Sequence, residues 1–357
     1  MRRNWPGCRW LINSLLWLAL LGVPFFHGIA DAEPASNPQN KSTLIFYLEN
    51  DAFSGKDKNY TNAVKLSWIS RHLEKVEGGR GLANWSQWFI EHTTVKDRNQ
   101  YMHNLALSFG QNIYTPADIS ISTLIEDDQP YAGWTYLSGA LHSQNFKLLN
   151  TLELSLGVVG PASLAEQTQK IVHEWINSDE PEGWDHQLSN EPGLMLTWQR
   201  FWRVLRQPLG KGFAYDVIPH AGVTIGNVFS YANLGGEARF GYNLPADFGT
   251  SLIRPGGGTA SPVSIGDPRL DSFSKFGFSL FFGVDGRAIA RNIFLDGNTW
   301  KESHSVEKNY FVADIVSGIS LVYKPVMLTY THVYRTKEFK GQDGGQFFGS
   351  LSLSFTF

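Results

Sequence analysis

A histidine, a glutamine and several carboxylates are the residues of this chain best suited to chemistry. His173 lies in the stretch SLAEQTQKIVHEWIN, Ser163 to Asn177, which has no glycine or proline and carries good helix formers. Leu164, Ile171, Val172 and Trp175 fall close to a helical stripe there, so the spacing predicts a helix. An imidazole on it can take a proton from water during attack on an ester, because it titrates near neutrality. Gln169 stands one turn earlier on the same face, where its amide can hold a water or a carbonyl oxygen. Asp179 or Glu180, just past the helix end, could orient the ring, whereas Glu174 points elsewhere around the helix. The same pattern also fits a plain surface histidine on an amphipathic helix. Asp51 can help to bind a hard cation such as Ca2+ with backbone carbonyls, and that charge could stabilise an oxyanion. Asn50-Asp51 is equally an ordinary turn dipeptide, and Asp127 and Asp128 share the ambiguity beside Pro130. The sequence holds no GxSxG elbow, no HExxH pair and no phosphate-binding glycine loop.

The elements that must position these groups are strands. Phe347, Gly349, Leu351, Leu353, Phe355 and Phe357 alternate with Ser350, Ser352, Ser354 and Thr356; Leu152, Leu154, Leu156 and Val158 alternate with Thr151, Glu153, Ser155 and Gly157. A soluble sandwich could bury such apolar faces against each other. Segments of ten or more residues, small and hydroxyl residues on the polar face, and Trp and Tyr near segment ends favour a transmembrane barrel instead. Aromatic residues of this kind include Trp68, Tyr131, Trp134, Tyr136, Tyr310 and Tyr323. The expected strands are 43–50, 60–70, 101–113, 131–146, 149–160, 190–206, 212–227, 229–243, 273–289, 308–323, 324–337 and 346–357. These make an all-β, twelve-stranded antiparallel barrel in the bacterial outer membrane with a short extracellular loop helix. Residues 71–100 and the Gly/Pro-rich 244–272 are too long for the periplasmic turns where they fall, which implies periplasmic insertions or missed strands.

Strand parity brings sequence-distant polar groups to one extracellular rim: Glu49-Asn50-Asp51, Tyr60-Thr61-Asn62, Gln111 to Tyr114, Asp127 to Tyr131, and the helix carrying Gln169 and His173. Lys56, Lys58, Arg335, Lys337 and Lys340 fall near the same rim, where they could meet phosphates or simply face solvent.

Composition closes several other classes. Charged residues make up 18% and the formal charge is −3, which argues against disorder and against a nucleic-acid binder. Arg2, Arg3 and Arg9, the apolar run Leu15 to Phe26 and Ala30-Asp31-Ala32 form a signal-peptide pattern over residues 1–32, with cleavage expected after Ala32. Cleavage removes Cys8, the only cysteine, and leaves 33–357 as one barrel domain without thiol chemistry.

Glu49-Asn50-Asp51 with Asn59-Tyr60-Thr61-Asn62, Gln111 to Pro116, Pro130-Tyr131-Ala132-Gly133-Trp134, Gly157 to Pro161, and His173 followed by Gly183 to Leu188 together resemble the outer-membrane lipid A 3'-O-deacylases. The resemblance runs through most of the mature chain and is most specific over residues 45–195. It implies an active site between the barrel wall and a loop helix. It also implies Ca2+-assisted hydrolysis that removes the 3'-linked acyloxyacyl group of lipid A in lipopolysaccharide. In that pattern His173 activates water, Asp179 stands where the family can have a supporting glutamate, and Asp51 serves the metal, with Asn50, Thr61 and Gln169 in the same pocket. Asp179 in place of glutamate, next to Glu180, is a departure. A porin or structural barrel, and an outer-membrane phospholipase, are the rival readings.

Overall fold

The structure, a computed structural model, describes residues 40–51, 60–73, 101–176, 178–250, 252–257, 260–270 and 276–357. The proposed signal segment 1–32, Lys56 and Lys58, and most of the 71–100 stretch lie outside the described residues.

Alternating sequences make the strands β1 (Thr43–Asn50), β2 (Tyr60–Ile69), β3 (Met102–Tyr114), β4 (Ala132–Gln144), β5 (Leu148–Val159) and β6 (Glu191–Trp202). They are followed by β7 (Leu205–Gly210), β8 (Phe213–Gly226), β9 (Phe229–Tyr242), β10 (Phe276–Asn292), β11 (Phe311–Tyr323), β12 (Val326–Arg335) and β13 (Gln346–Thr356). Each pairs antiparallel with its neighbours, β1 pairs with β13, and β6 pairs with β8, which closes the sheet. The short β7 prolongs β6 along the same partner, β8, so the barrel has twelve staves. Closure leaves no sheet edge, the condition for crossing lipid with strands. No helix among the described residues is long and apolar enough to cross a membrane.

Alternation sorts the residues by face. Leu44, Phe46, Leu66, Leu107, Phe109, Leu137, Leu156, Leu194, Ile225, Leu280 and Phe282 form an exposed apolar belt outside. Inside, hydroxyls pair across strands, Ser67 with Ser108 at 2.8 Å, Thr197 with Thr224 at 2.9 Å and Ser320 with Thr329 at 2.9 Å. Trp68, Tyr310 and Tyr323 are exposed, in keeping with an interfacial belt. Tyr131, Trp134 and Tyr136 are buried instead, because Trp134 and Tyr136 face the lumen and Tyr131 lies beneath a loop.

The segment 244–270 is neither a periplasmic insertion nor a missed strand. It leaves β9 and returns to β10 at one rim, and between them it rises through the lumen. Ile253 N–H donates to Glu49 Oε1 at 2.6 Å near the opposite rim, and Leu252, Ile253 and Ala260 join the core of Ile45, Tyr47, Trp134 and Tyr136. Buried ion pairs fix this plug at two levels. Asp247 accepts from Arg269 at 2.8 Å within the segment and from Arg239 of β9 at 2.5 Å, and Arg269 also meets Asp267 at 2.7 Å. Nearer the other rim, Arg254 reaches Asp285 at 3.0 Å and Asp314 at 3.2 Å, and Asp314 also holds Arg287 and Arg335. Glycine and proline suit a chain that must fold back inside a narrow tube, which is why the segment carries no strand periodicity.

Among the described residues two α-helices occur, α1 (Ala165–Ile176) in the connection from β5 to β6 and the single turn α2 (Ile293–Asp296) after β10.

Candidate active site

Parity decides which side chains reach the outer surface of the wall. Along β1, Thr43, Ile45, Tyr47 and Glu49 are buried inside while Leu44 and Phe46 are exposed, so Asn50 continues the outward series. Asn50 pairs with Asn62 on β2, Asn62 with Ile113 on β3, and Ile113 with Gly133 on β4. Cross-strand partners share a face, so this row runs across the outside of four strands at one rim. Thr61 is the extra residue between the pairs Tyr60–Tyr114 and Asn62–Ile113, a bulge of the kind that re-aims side chains at functional edges. Its own side chain lies outside the described residues.

The chain leaving β5 turns back over this outer wall. Gly160 takes φ +94, the left-handed region that favours glycine, and Ser163 Oγ donates to its carbonyl at 2.6 Å. The Ser163 carbonyl then accepts from Gln111 Nε2 and Thr135 Oγ1, both at 2.7 Å and both outward on β3 and β4. A Cβ at Gly133 would lie 2.1 Å from Ser163 Oγ and 2.2 Å from Ala165 Cβ, so only glycine lets α1 begin flush against the wall. Ala165 packs with Ile113, Tyr131 and Trp184. Burial pushes the Tyr131 phenol up to about 12, which keeps it a neutral donor to Ile119 O at 3.2 Å. Turn by turn, Ala165, Gln169 and His173 form the wall-side stripe, and Gln169 and His173 are only 2% and 6% exposed.

Each of these two polar side chains is held by one atom and offers the other. The His173 ring places Nδ1 2.6 Å from the main-chain oxygen of Asp179. A carbonyl only accepts, so Nδ1 carries the hydrogen and the lone pair of the neutral ring is on Nε2, the atom a base uses. The Asp179 carboxylate is exposed; the carbonyl, not the acid, meets the imidazole. Trp184 Nε1–H donates to Gln169 Oε1 at 2.8 Å. An indole N–H can only donate, so the amide orientation is fixed, and the buried Gln169 Nε2 has no partner among the described residues. An amide NH2 held in place with open valences is a donor for a developing oxyanion.

Asp51, directly past the end of β1 at this rim, is 1% exposed. Among the described residues no group of three His, Cys, Asp or Glu gathers, so a cation here would rest on Asp51 with amide and main-chain oxygens. Buried Asn62 has an Oδ1 with no partner among the described residues. A carboxylate with such neutral oxygens is a hard donor set that fits Ca2+. Asp128 is spent in its own loop, where its carboxylate accepts from Ala117 N–H at 2.7 Å and Gln129 N–H at 2.8 Å. Arg335 is tied to Asp314 and Lys340 pairs with Glu307, so these two rim cations have protein partners. Trp184 holds Gln169 although its spacing assigns it no role, whereas Asn62 stands at the rim where strand parity puts it. The available signal for Trp184 was that a buried indole needs an acceptor.

A closed twelve-stranded antiparallel barrel agrees with the comparisons. The family described as outer membrane protein LpxR matches residues 15–357. The chain belongs to the LpxR family. It is thus an outer-membrane β-barrel of the family that its motifs resemble. Among solved structures, LpxR from Salmonella typhimurium superposes with a TM-score of 0.67 at 17% identity, covering 88% of this chain and 99% of that one. The β domain of the Bordetella autotransporter BrkA gives 0.39 at 9% identity over 89% and 99% of the two chains. The translocator domain of NalP from Neisseria meningitidis gives 0.36 at 9% identity over 97% and 94%. No curated protein sequence matches this chain.

Proposed function

We propose that this protein is an outer-membrane lipid A 3'-O-deacylase whose active site faces the extracellular side and acts by histidine-activated water. The observation that carries the reading is the wall-side pair on α1: a buried imidazole with Nε2 free of the orienting carbonyl, one turn from a buried amide whose NH2 has no partner among the described residues. His173 Nε2 takes a proton from water as the hydroxyl adds to the ester carbonyl carbon, and Gln169 Nε2 donates to the oxygen that becomes negative. When the tetrahedral adduct collapses, the bond to the sugar oxygen breaks. The imidazolium returns its proton to that leaving oxygen, giving the free acyloxyacyl acid and the 3'-hydroxyl. Asp179 supports the ring through its carbonyl, Asn50 and Asn62 lie on the outer wall at the same rim, and Thr61 is the bulge residue next to Asn62. Ca2+, held by Asp51 and neighbouring oxygens, would supply positive charge for the oxyanion.

A lateral site on the outer wall suits a substrate whose acyl chains stand in the membrane beside the barrel. The plug weighs against the porin reading, because it carries buried side chains up the lumen to the level of Glu49. Lipid A from cells with and without the gene separates the readings. Loss of the 3'-acyloxyacyl mass with the gene is expected; identical spectra from cells with verified folded barrel would reject the assignment.

A further inference from the structure

Among the described residues, one flank of α1 is exposed and apolar. Trp175 is 81% exposed, and Ile171, one turn before it, and Leu164, at the helix entrance, are also exposed. At 100° per residue these lie well around the helix from the wall-side stripe of Ala165, Gln169 and His173. Glu166, Lys170 and Glu174, spaced by four, form the opposite flank, with Lys170 Nζ 2.8 Å from Glu166. The helix therefore has three faces: one against the wall, one charged and one greasy.

The wall beneath it says what the greasy face meets. Ser163 is bound by Gln111 and Thr135 on the outward side of β3 and β4. One outward step further down, about 7 Å along the strands, Phe109 pairs with Leu137, Leu137 with Leu156, and Leu156 with Leu194. All four are exposed and outward, the top row of the belt that faces lipid. An apolar helix flank next to that belt, with charges on its far side, has the layout of a helix lying in a membrane interface.

We propose that Leu164, Ile171 and Trp175 rest among lipid acyl chains at the membrane surface, so that α1 is both the site's cover and its membrane contact. The reading deepens the deacylase assignment, since it sets the height of His173 at the ester level and delivers chains along the greasy flank, but the contact itself does not require activity. The processed chain, residues 33–357, has no cysteine of its own; carrying Trp175→Cys, and separately Lys170→Cys, it is labelled with an environment-sensitive fluorophore and reconstituted in phosphatidylcholine vesicles with lipids spin-labelled at shallow depth. The 175 probe is expected to be blue-shifted and quenched several-fold more than the 170 probe. Equal weak quenching at both positions, or a blue shift at 175 without lipid quenching that indicates protein contact with a second copy, would overturn the proposal. As a functional arm, Trp175→Glu in a heat-modifiable, folded barrel should raise KM for lipid A in vesicles about tenfold and leave hydrolysis of detergent-dispersed lipid A unchanged. Equal rates on vesicles would remove substrate delivery from the role, while an inactive wild type would reject the deacylase assignment and leave the quenching result intact.

Discussion

His173 and Gln169 matter for what their held atoms leave open. Nδ1 is fixed to the Asp179 carbonyl and Oε1 to the Trp184 indole, so the remaining nitrogens are presented as one base and one donor. Removing an oxyanion donor typically costs about 10²–10³ in kcat, and Gln169→Ala is expected to fall in that range in a lipid A hydrolysis assay. Trp184→Phe keeps an aromatic ring in the site and loses the indole N–H, so it should show a smaller drop in kcat with KM nearly unchanged. A Trp184→Phe enzyme with full kcat would mean that the indole does not orient the amide. Asp179→Ala should retain most activity, because the carboxylate is exposed and the contact to the ring is main-chain. An inactive Asp179→Ala with folded barrel would show that the acid itself is used. Sequence alone could nominate His173, Gln169 and Asp51 as candidates, since residue type limits who can be base, donor or hard ligand. It could not choose between carbonyl and carboxylate at Asp179, a matter of chain path beyond a helix end rather than of spacing.

At the scale of elements, α1 works because the wall admits it. Gly133 removes a Cβ where Ser163 and Ala165 approach, and Gln111 and Thr135 seize the Ser163 carbonyl. Gly133→Val should therefore lift the start of α1 and abolish hydrolysis while the barrel still runs heat-modifiably on a gel; normal activity would show that the helix does not need this seat. The period of two made the strands legible nearly to the residue, as in 43–50 and 346–356, because each stave must show opposite faces to lipid and lumen. The plug was illegible for the converse reason. Residues 244–270 make irregular contacts with many strands, and only buried Asp and Arg reveal their place. Breaking such a buried pair costs about 3–5 kcal/mol, so Arg269→Ala should lower the urea midpoint of unfolding substantially. An unchanged midpoint would mean that the ion pairs do not hold the plug.

The whole molecule is a closed tube filled from one end, with the candidate site on the outside of the wall at the other. On the proposed function, filling the lumen and placing the site laterally answer one need: the esters of a membrane lipid stand beside the barrel, so the channel is not their route. In planar bilayers the intact protein is expected to show no stable conductance, and steady porin-like channels would show that the plug leaves. The site's claim rests on the helix that lies on that wall. The most direct test is hydrolysis of purified lipid A by refolded barrel, followed by mass spectrometry, with His173→Ala run alongside at equal folded fraction. Loss of the 3'-acyloxyacyl unit with the native protein and an unchanged lipid with His173→Ala is the result expected. Equal deacylation by both proteins would contradict it.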